Sequence, residues 1–206
     1  MAAAERRALI LEAARAAFAD GGYHGTSLEE VAERAGVSKA LLYEHFSSKR
    51  ELHAAMLEMH ALGLVETLNL ALAGADPGED RLRSGLEAFF SYAEERRGVW
   101  RIMFRNAGDP DVAHWVARIR DEVAGAIVLL MAEEVEAISP ADPLTPAAVE
   151  MVAQQLVGAM QSLADWWDQH TDVPRETVVR VAMDFAWLGL DRVRQGERWE
   201  APRASP

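Results

Sequence analysis

The side chains best placed for chemistry lie between residues 26 and 60. Thr26 and Ser27 stand immediately before an apolar helical run, where hydroxyls and free backbone amides can take a phosphate. His53 and His60 are seven residues apart in one helical stretch. At 1.5 Å per residue that is about 10 Å, one face but too far for a shared metal, so they read as packed or solvated histidines. There is no cysteine, which removes disulfides, thiolate metal sites and cysteine nucleophiles together. The chain also has no Gly-x-Ser-x-Gly elbow, no Gly-rich phosphate loop and no His-Glu-x-x-His. The chemistry on offer is therefore binding, with no catalytic residues, metal or cofactor expected. A helical enzyme stays as a distant alternative.

The elements that carry these residues read as helices almost throughout. Alternating β-branched runs are missing, and apolar residues recur at helical spacing. Ile10, Ala13, Ala14, Ala17 and Phe18 form one stripe of a first helix over about 5–20, which Gly21-Gly22 is expected to end. Ser27-Leu28-Glu29-Glu30 is a capping box opening a short helix to about Ala35. Gly36 supplies a turn, Ser38 caps a helix of about 39–45, and Ser48-Lys49-Arg50-Glu51 caps a long helix to about Ala73. Two short helices across a tight glycine turn are the helix-turn-helix layout, whose second helix enters a major groove. With Val37, Leu41 and Leu42 inward, Ser38, Lys39, Ala40, Tyr43, Glu44 and His45 remain for the outer face or its flanks.

Further along, helices are expected at about 80–97, 99–106 (after a break at Gly98), 111–137, 146–170 and 175–194, about nine in all. Pro-rich 139–146 is a connection and 196–206 a frayed tail. The fold class is all-α.

The run Thr26-Ser27-Leu28-Glu29-Glu30-Val31-Ala32-Glu33-Arg34-Ala35-Gly36-Val37-Ser38, followed by Leu42-Tyr43-Glu44-His45-Phe46-Ser47-Ser48-Lys49-Arg50-Glu51-Leu52, resembles the DNA-binding domain of the tetracycline-repressor (TetR) family. The resemblance extends back through Phe18 and Gly22-Tyr23 and covers about 5–55. Many family members have glycine where this chain has Ala40. The resemblance implies that Tyr43 and Lys49 contact phosphate alongside Thr26 and Ser27. It also implies that Lys39 and Ala40, with Ser38 and His45, meet base edges. Lys39 suits guanine, and the Ala40 methyl suits a thymine methyl.

The same resemblance implies a DNA-binding head of residues 1–50 and, from a connector helix starting at about 49, a helical regulatory domain over 51–206. That second part is expected to hold a small-molecule effector and to pair two copies through its last two helices. Val149, Val152, Ala153, Leu156, Val157, Met160 and Trp167 on one, and Val178, Ala182, Phe185, Leu188 and Val193 on the other, are wide enough for core and partner. For the effector, concave sites favour large apolar side chains with few polar groups. Phe89, Phe90, Trp100, Met103 and Phe104 are the candidates on the central helices; Trp115, Met160, Trp166 and Trp167 are those further along. His60, His114, Asp165 and Asp168 are possible polar anchors. Each also fits as plain core. The expected function is a cytoplasmic repressor, released from a palindromic operator by a largely apolar effector. A constitutive DNA-binding regulator is the alternative.

Charge is consistent with this division. The net charge is −12, yet the first 50 residues carry seven bases and seven acids, so all of the excess lies beyond them. An acidic body repelled by phosphate leaves the neutral head to face it. No apolar run approaches a membrane span, and the N-terminus lacks a signal-peptide pattern.

Overall fold

A computed structural model describes residues 3–105, 117–118, 120–128 and 145–194, with backbone alone for 102–105, 190, 193 and 194. The described residues form helices and no strand, in the order α1 (Ala3–Gly25), α2 (Leu28–Arg34), α3 (Lys39–His45), α4 (Lys49–Ala73), α5 (Glu79–Glu95), α6 (Arg97–Arg105), α7 (120–128), α8 (Pro146–Asp168) and α9 (Arg175–Arg194). No described helix is long and apolar enough to cross a membrane. The described residues divide into two compact units. One holds those of 1–67 and 91–119, the other those of 68–90 and 120–206.

The core of the first unit is the apolar stripe of α1. Ile10, Ala14, Ala17 and Phe18 are buried, together with Leu28, Val31 and Ala32 of α2, Leu42 of α3, and Phe46 and Leu52 after it. Burying each large member contributes about 1.5–3 kcal/mol. The turn between α2 and α3 is closed by backbone bonds from Gly36 N–H to Glu33 C=O (3.0 Å) and from Val37 N–H to Ala32 C=O (3.0 Å). This Schellman pattern needs a left-handed residue, and Gly36 supplies it at φ 65°.

Two glycine readings need correction. Gly21-Gly22 does not end α1. The helix continues to Gly25 across a kink at Gly22, whose φ 68° and ψ 172° only glycine adopts readily. The Thr26 hydroxyl holds the kink by donating to Ala17 C=O (2.9 Å) and Gly22 C=O (2.8 Å). Nor does Gly98 end the fifth helix. The interruption is at Arg96, and Gly98 lies inside α6. A Cβ there would stand 3.1 Å from that of Ala19, so this glycine lets α6 press against α1.

In the second unit α8 and α9 pack through one face each. Val149, Ala153, Met160, Ala164 and Trp167 of α8 are buried, as are Val178, Ala182 and Ala186 of α9. Thr145 caps α8 by accepting from Ala148 N–H (3.2 Å), with Pro146 in the first helical position. The Trp167 indole N–H donates to Val173 C=O (2.8 Å), tying the α8–α9 turn to the end of α8. The single apolar stripe read along α9 splits in two: Phe185 and Leu188 are exposed, apart from Val178 and Ala182.

Candidate nucleic-acid interface

Short polar caps position the outer face of α3. Ser38 accepts from Leu41 N–H (3.1 Å) and starts the helix, while buried Leu42 anchors its inner side. Ser38, Lys39, Ala40, Tyr43 and Glu44 are left exposed, with His45 half-buried. Tyr43 is 45% exposed, with no core role for its ring. The Lys39 ammonium lies 5.8 Å from the Tyr43 ring centroid and bonds the Glu29 carboxylate across the turn. That mutual hydrogen bond holds the Glu29 carboxyl below its ordinary range and the Lys39 ammonium above its own.

At the start of α2, exposed Ser27 accepts from Glu30 N–H (3.1 Å). The Glu30 side chain does not complete the reciprocal half of the capping box. It bonds Arg34 (3.0 Å), which also holds Asp20 (2.7 Å). The α4 start is built differently. Ser48 accepts from Glu51 N–H (3.2 Å), while the Glu51 carboxylate reaches one residue beyond the cap to Ser47 N–H (2.7 Å). These Ser47 bonds, the hydroxyl's first, hold the Glu51 carboxyl below its usual range.

Lys49 lies over an aromatic cluster at the end of α1. Its ammonium stands 4.7 Å from the Tyr23 ring centroid and donates to His24 C=O (3.3 Å). Tyr23 is flanked by His53, whose ring is 4.8 Å away and meets Phe18 edge-on at 4.9 Å. His53 is thus a packing residue. So is His60, buried on α4, whose carbonyl accepts from Tyr92 O–H (2.6 Å). Loss of water, more than any neighbouring charge, pushes the His60 imidazole down to about 4, so the ring is neutral at pH 7. Among the described residues no group of three or more His, Asp or Glu is placed to hold a metal.

Of the eight residues assigned to nucleic acid from sequence, Ser27, Ser38, Lys39, Ala40 and Tyr43 are exposed, and His45 and Lys49 half-buried. Thr26 departs from that set. It is buried, and its hydroxyl is spent on α1 carbonyls. Sequence reasoning missed Glu29 as the partner of Lys39 and Tyr23 as the platform under Lys49. Both pairings cross between helices, so no helical spacing announces them.

The residues assigned to an effector are distributed as follows. Phe90, Met160 and Trp167 are buried in the second unit, with Phe90 edge-on to Phe89 (5.1 Å) and to Trp167 (5.9 Å). Asp168 is also buried there. Trp100 is buried in the first unit. Trp166 is exposed, stacked on His170 at 4.0 Å, with His170 Nδ1–H donating to Trp166 C=O (2.8 Å). Trp115 and His114, and the side chains of Met103 and Phe104, lie outside the described residues.

Comparison with known proteins places this geometry. Residues 10–56 match the family described as bacterial regulatory proteins, tetR family. Residues 78–189 match the one described as tetracyclin repressor-like, C-terminal domain. The HTH-type transcriptional activator FasR of Mycolicibacterium smegmatis is 35% identical over 192 residues, which are 92% of this chain and 84% of that protein. A TetR-like transcriptional regulator from Rhodococcus sp. RHA1 superposes with a TM-score of 0.70 at 30% identity, covering 90% of this chain and 96% of that one. The regulator FadR of Bacillus subtilis, solved with stearoyl-CoA, shares the fold with a TM-score of 0.73 at 14% identity, covering 92% and 98%.

Proposed function

The chain belongs to the TetR family of DNA-binding transcriptional regulators, and on that premise we propose that it works as a homodimer whose two α3 helices read a palindromic operator. Family membership sets the enzyme alternative aside. The observation that carries the reading is the exposed polar face of α3 (Ser38, Lys39, Ala40, Tyr43), bracketed by Ser27 and Lys49. Lys39 and Ala40 then serve as base readers, with Ser38 and His45 beside them. Ser27, Tyr43 and Lys49 serve as phosphate contacts. Thr26 acts from inside by fixing the end of α1. Reading chromosomal DNA assigns the protein to the cytoplasm of a bacterial cell.

The partner in the dimer is a second copy, joined through α8 and α9. Met151 and Trp166 on α8, and Val181, Phe185 and Leu188 on α9, are large, apolar and exposed. Such a patch marks an interaction surface, and a two-fold pairing makes it self-complementary. Two α3 helices can then meet half-sites one DNA turn, about 34–36 Å, apart.

Residues 1–50 are proposed as the reading domain and 51–206 as the regulatory domain, with α4 as connector. An apolar effector in the regulatory domain is supported by the buried aromatic pair Phe90–Trp167 and by buried Met160 on α8. FadR with stearoyl-CoA is an instance of the fold holding a long acyl chain. The effector acts by binding one head spacing better than the other. For the sign of control, the FasR name carries activation, and we take that in place of the repression expected from sequence.

The test is sedimentation of the purified chain, followed by selection of duplexes from a random pool and a reporter carrying the selected site. A dimer that selects inverted half-sites about one turn apart, drives the reporter, and loses the site on adding an acyl thioester supports each part in turn. A monomer, or selection of no sequence, overturns the reading. A repressed reporter reverses only the sign, and indifference to every apolar compound leaves the constitutive regulator.

A further inference from the structure

The one lysine of α3 is already engaged before any nucleic acid arrives. The Lys39 ammonium bonds the Glu29 carboxylate in the first turn of α2 and rests beside the Tyr43 ring. Glu30 and Asp20 are instead on Arg34, and Glu51 is on Ser47. The pair joins the two elements proposed to face DNA, two residues from the Ser27 cap. Resting on that placement of α3, we propose that Glu29 is an affinity-setting residue of this face, which competes with DNA for the Lys39 ammonium and so holds binding to every duplex below what Lys39 alone would give.

Both side chains are more than half exposed, so solvent screens the pair and it is weak. Such a pair opens readily but not freely. When Lys39 swings to a phosphate, one ionic contact replaces another, and Glu29 is left as a bare carboxylate against a phosphate-lined surface. Like charges facing each other across an interface cost affinity. A guanine offers two acceptors, O6 and N7, in the groove, which more than replace the lost pair. Phosphates occur at every step of any duplex, and a guanine meets Lys39 only in register. The acid therefore subtracts about equally from every encounter, and the guanine contact sets the operator apart with or without it. Glu and Lys are both ionised at neutral pH, and the mutual hydrogen bond holds the Glu29 carboxyl further below that range and the Lys39 ammonium further above it.

The test measures Kd for the wild-type dimer, Glu29→Gln, Lys39→Met and the double variant. The two duplexes are an operator selected by the wild type and a shuffled duplex of the same composition. Glu29→Gln should bind both duplexes about fivefold more tightly, with its melting temperature retained. In the Lys39→Met background the same substitution should change neither duplex by more than about twofold. No gain on either duplex would overturn the proposal, and so would an undiminished gain without Lys39, which would show a bulk charge effect. Failure of the wild type to select any sequence would overturn the α3 reading itself, and this inference with it.

Discussion

Phe46 and Phe185 are the same side chain in opposite circumstances. Phe46, just after α3, is 1% exposed; Phe185, on α9, is 69% exposed. In the described head the large apolar residues other than Leu9 and Tyr43 are buried or half-buried, and what faces outward on α3 is hydroxyl, ammonium, phenol and carboxylate, with the Ala40 methyl among them. On α9 a second apolar row adjoins the buried one. A polar outer face suits a phosphate lattice with its own water, and an apolar outer face suits another protein surface. The contrast fits the proposal that α3 meets nucleic acid and α9 a second copy.

The sharpest way to break the contrast is to truncate both phenylalanines. Phe46→Ala should destabilise the head by about 3–5 kcal/mol in chemical denaturation, through lost transfer energy and a cavity. Phe185→Ala should leave the protomer within about 0.5 kcal/mol, as an exposed site does. Equal losses would put Phe185 in a core.

Next in size is Phe185→Asp combined with Leu188→Asp. Two charges placed centrally in an apolar interface should weaken dimerisation by about 4 kcal/mol, read as dissociation on dilution in sedimentation. Helicity should be unchanged. A dimer that persists would move the interface elsewhere.

A third effect is a pH dependence of the first unit, which holds His60. His60 is held neutral, about 4 in the folded state against an ordinary 6.5, by burial among α1 and α4 residues. The unfolded chain takes up the proton first. The stability is therefore full above pH 6.5 and lost as pH falls towards 4, by on the order of 3 kcal/mol at pH 4. His60→Leu should remove that part of the slope, and unchanged steepness would refute the assignment. Smallest is Ser27→Ala. Loss of the cap should cost about 1 kcal/mol of stability, with some further loss of DNA affinity that a purely structural cap would not show.

What was legible in the sequence was whatever local chemistry decides. Ser27, Gly36 and Ser38 announce two helix starts and a left-handed turn, and α2 and α3 form where those residues say. The buried stripe of α1 follows from spacing alone. What was illegible depended on partners distant along the chain. Gly22 looked like a stop because nothing nearby shows that Thr26 will reach back to bridge the kink. Gly98 looked like a break because its reason is Ala19, on another helix. Thr26 and Ser27 are adjacent hydroxyls, yet one faces inward and one outward. Lys39 looked like a free base reader, since its acid partner lies across the turn. The α9 stripe merged core and interface because adjoining faces share one helical period.

The central claim is that the α3 face, with Ser27 and Lys49, grips DNA phosphate. The most direct measurement is the salt dependence of operator affinity for wild type, Tyr43→Ala and Lys49→Ala. Loss of a charged phosphate contact should weaken binding and flatten the log–log slope by about 0.9 per head for Lys49→Ala. For Tyr43→Ala, a neutral donor, affinity should fall with the slope nearly unchanged. Wild-type affinity and slope in both variants would contradict the account.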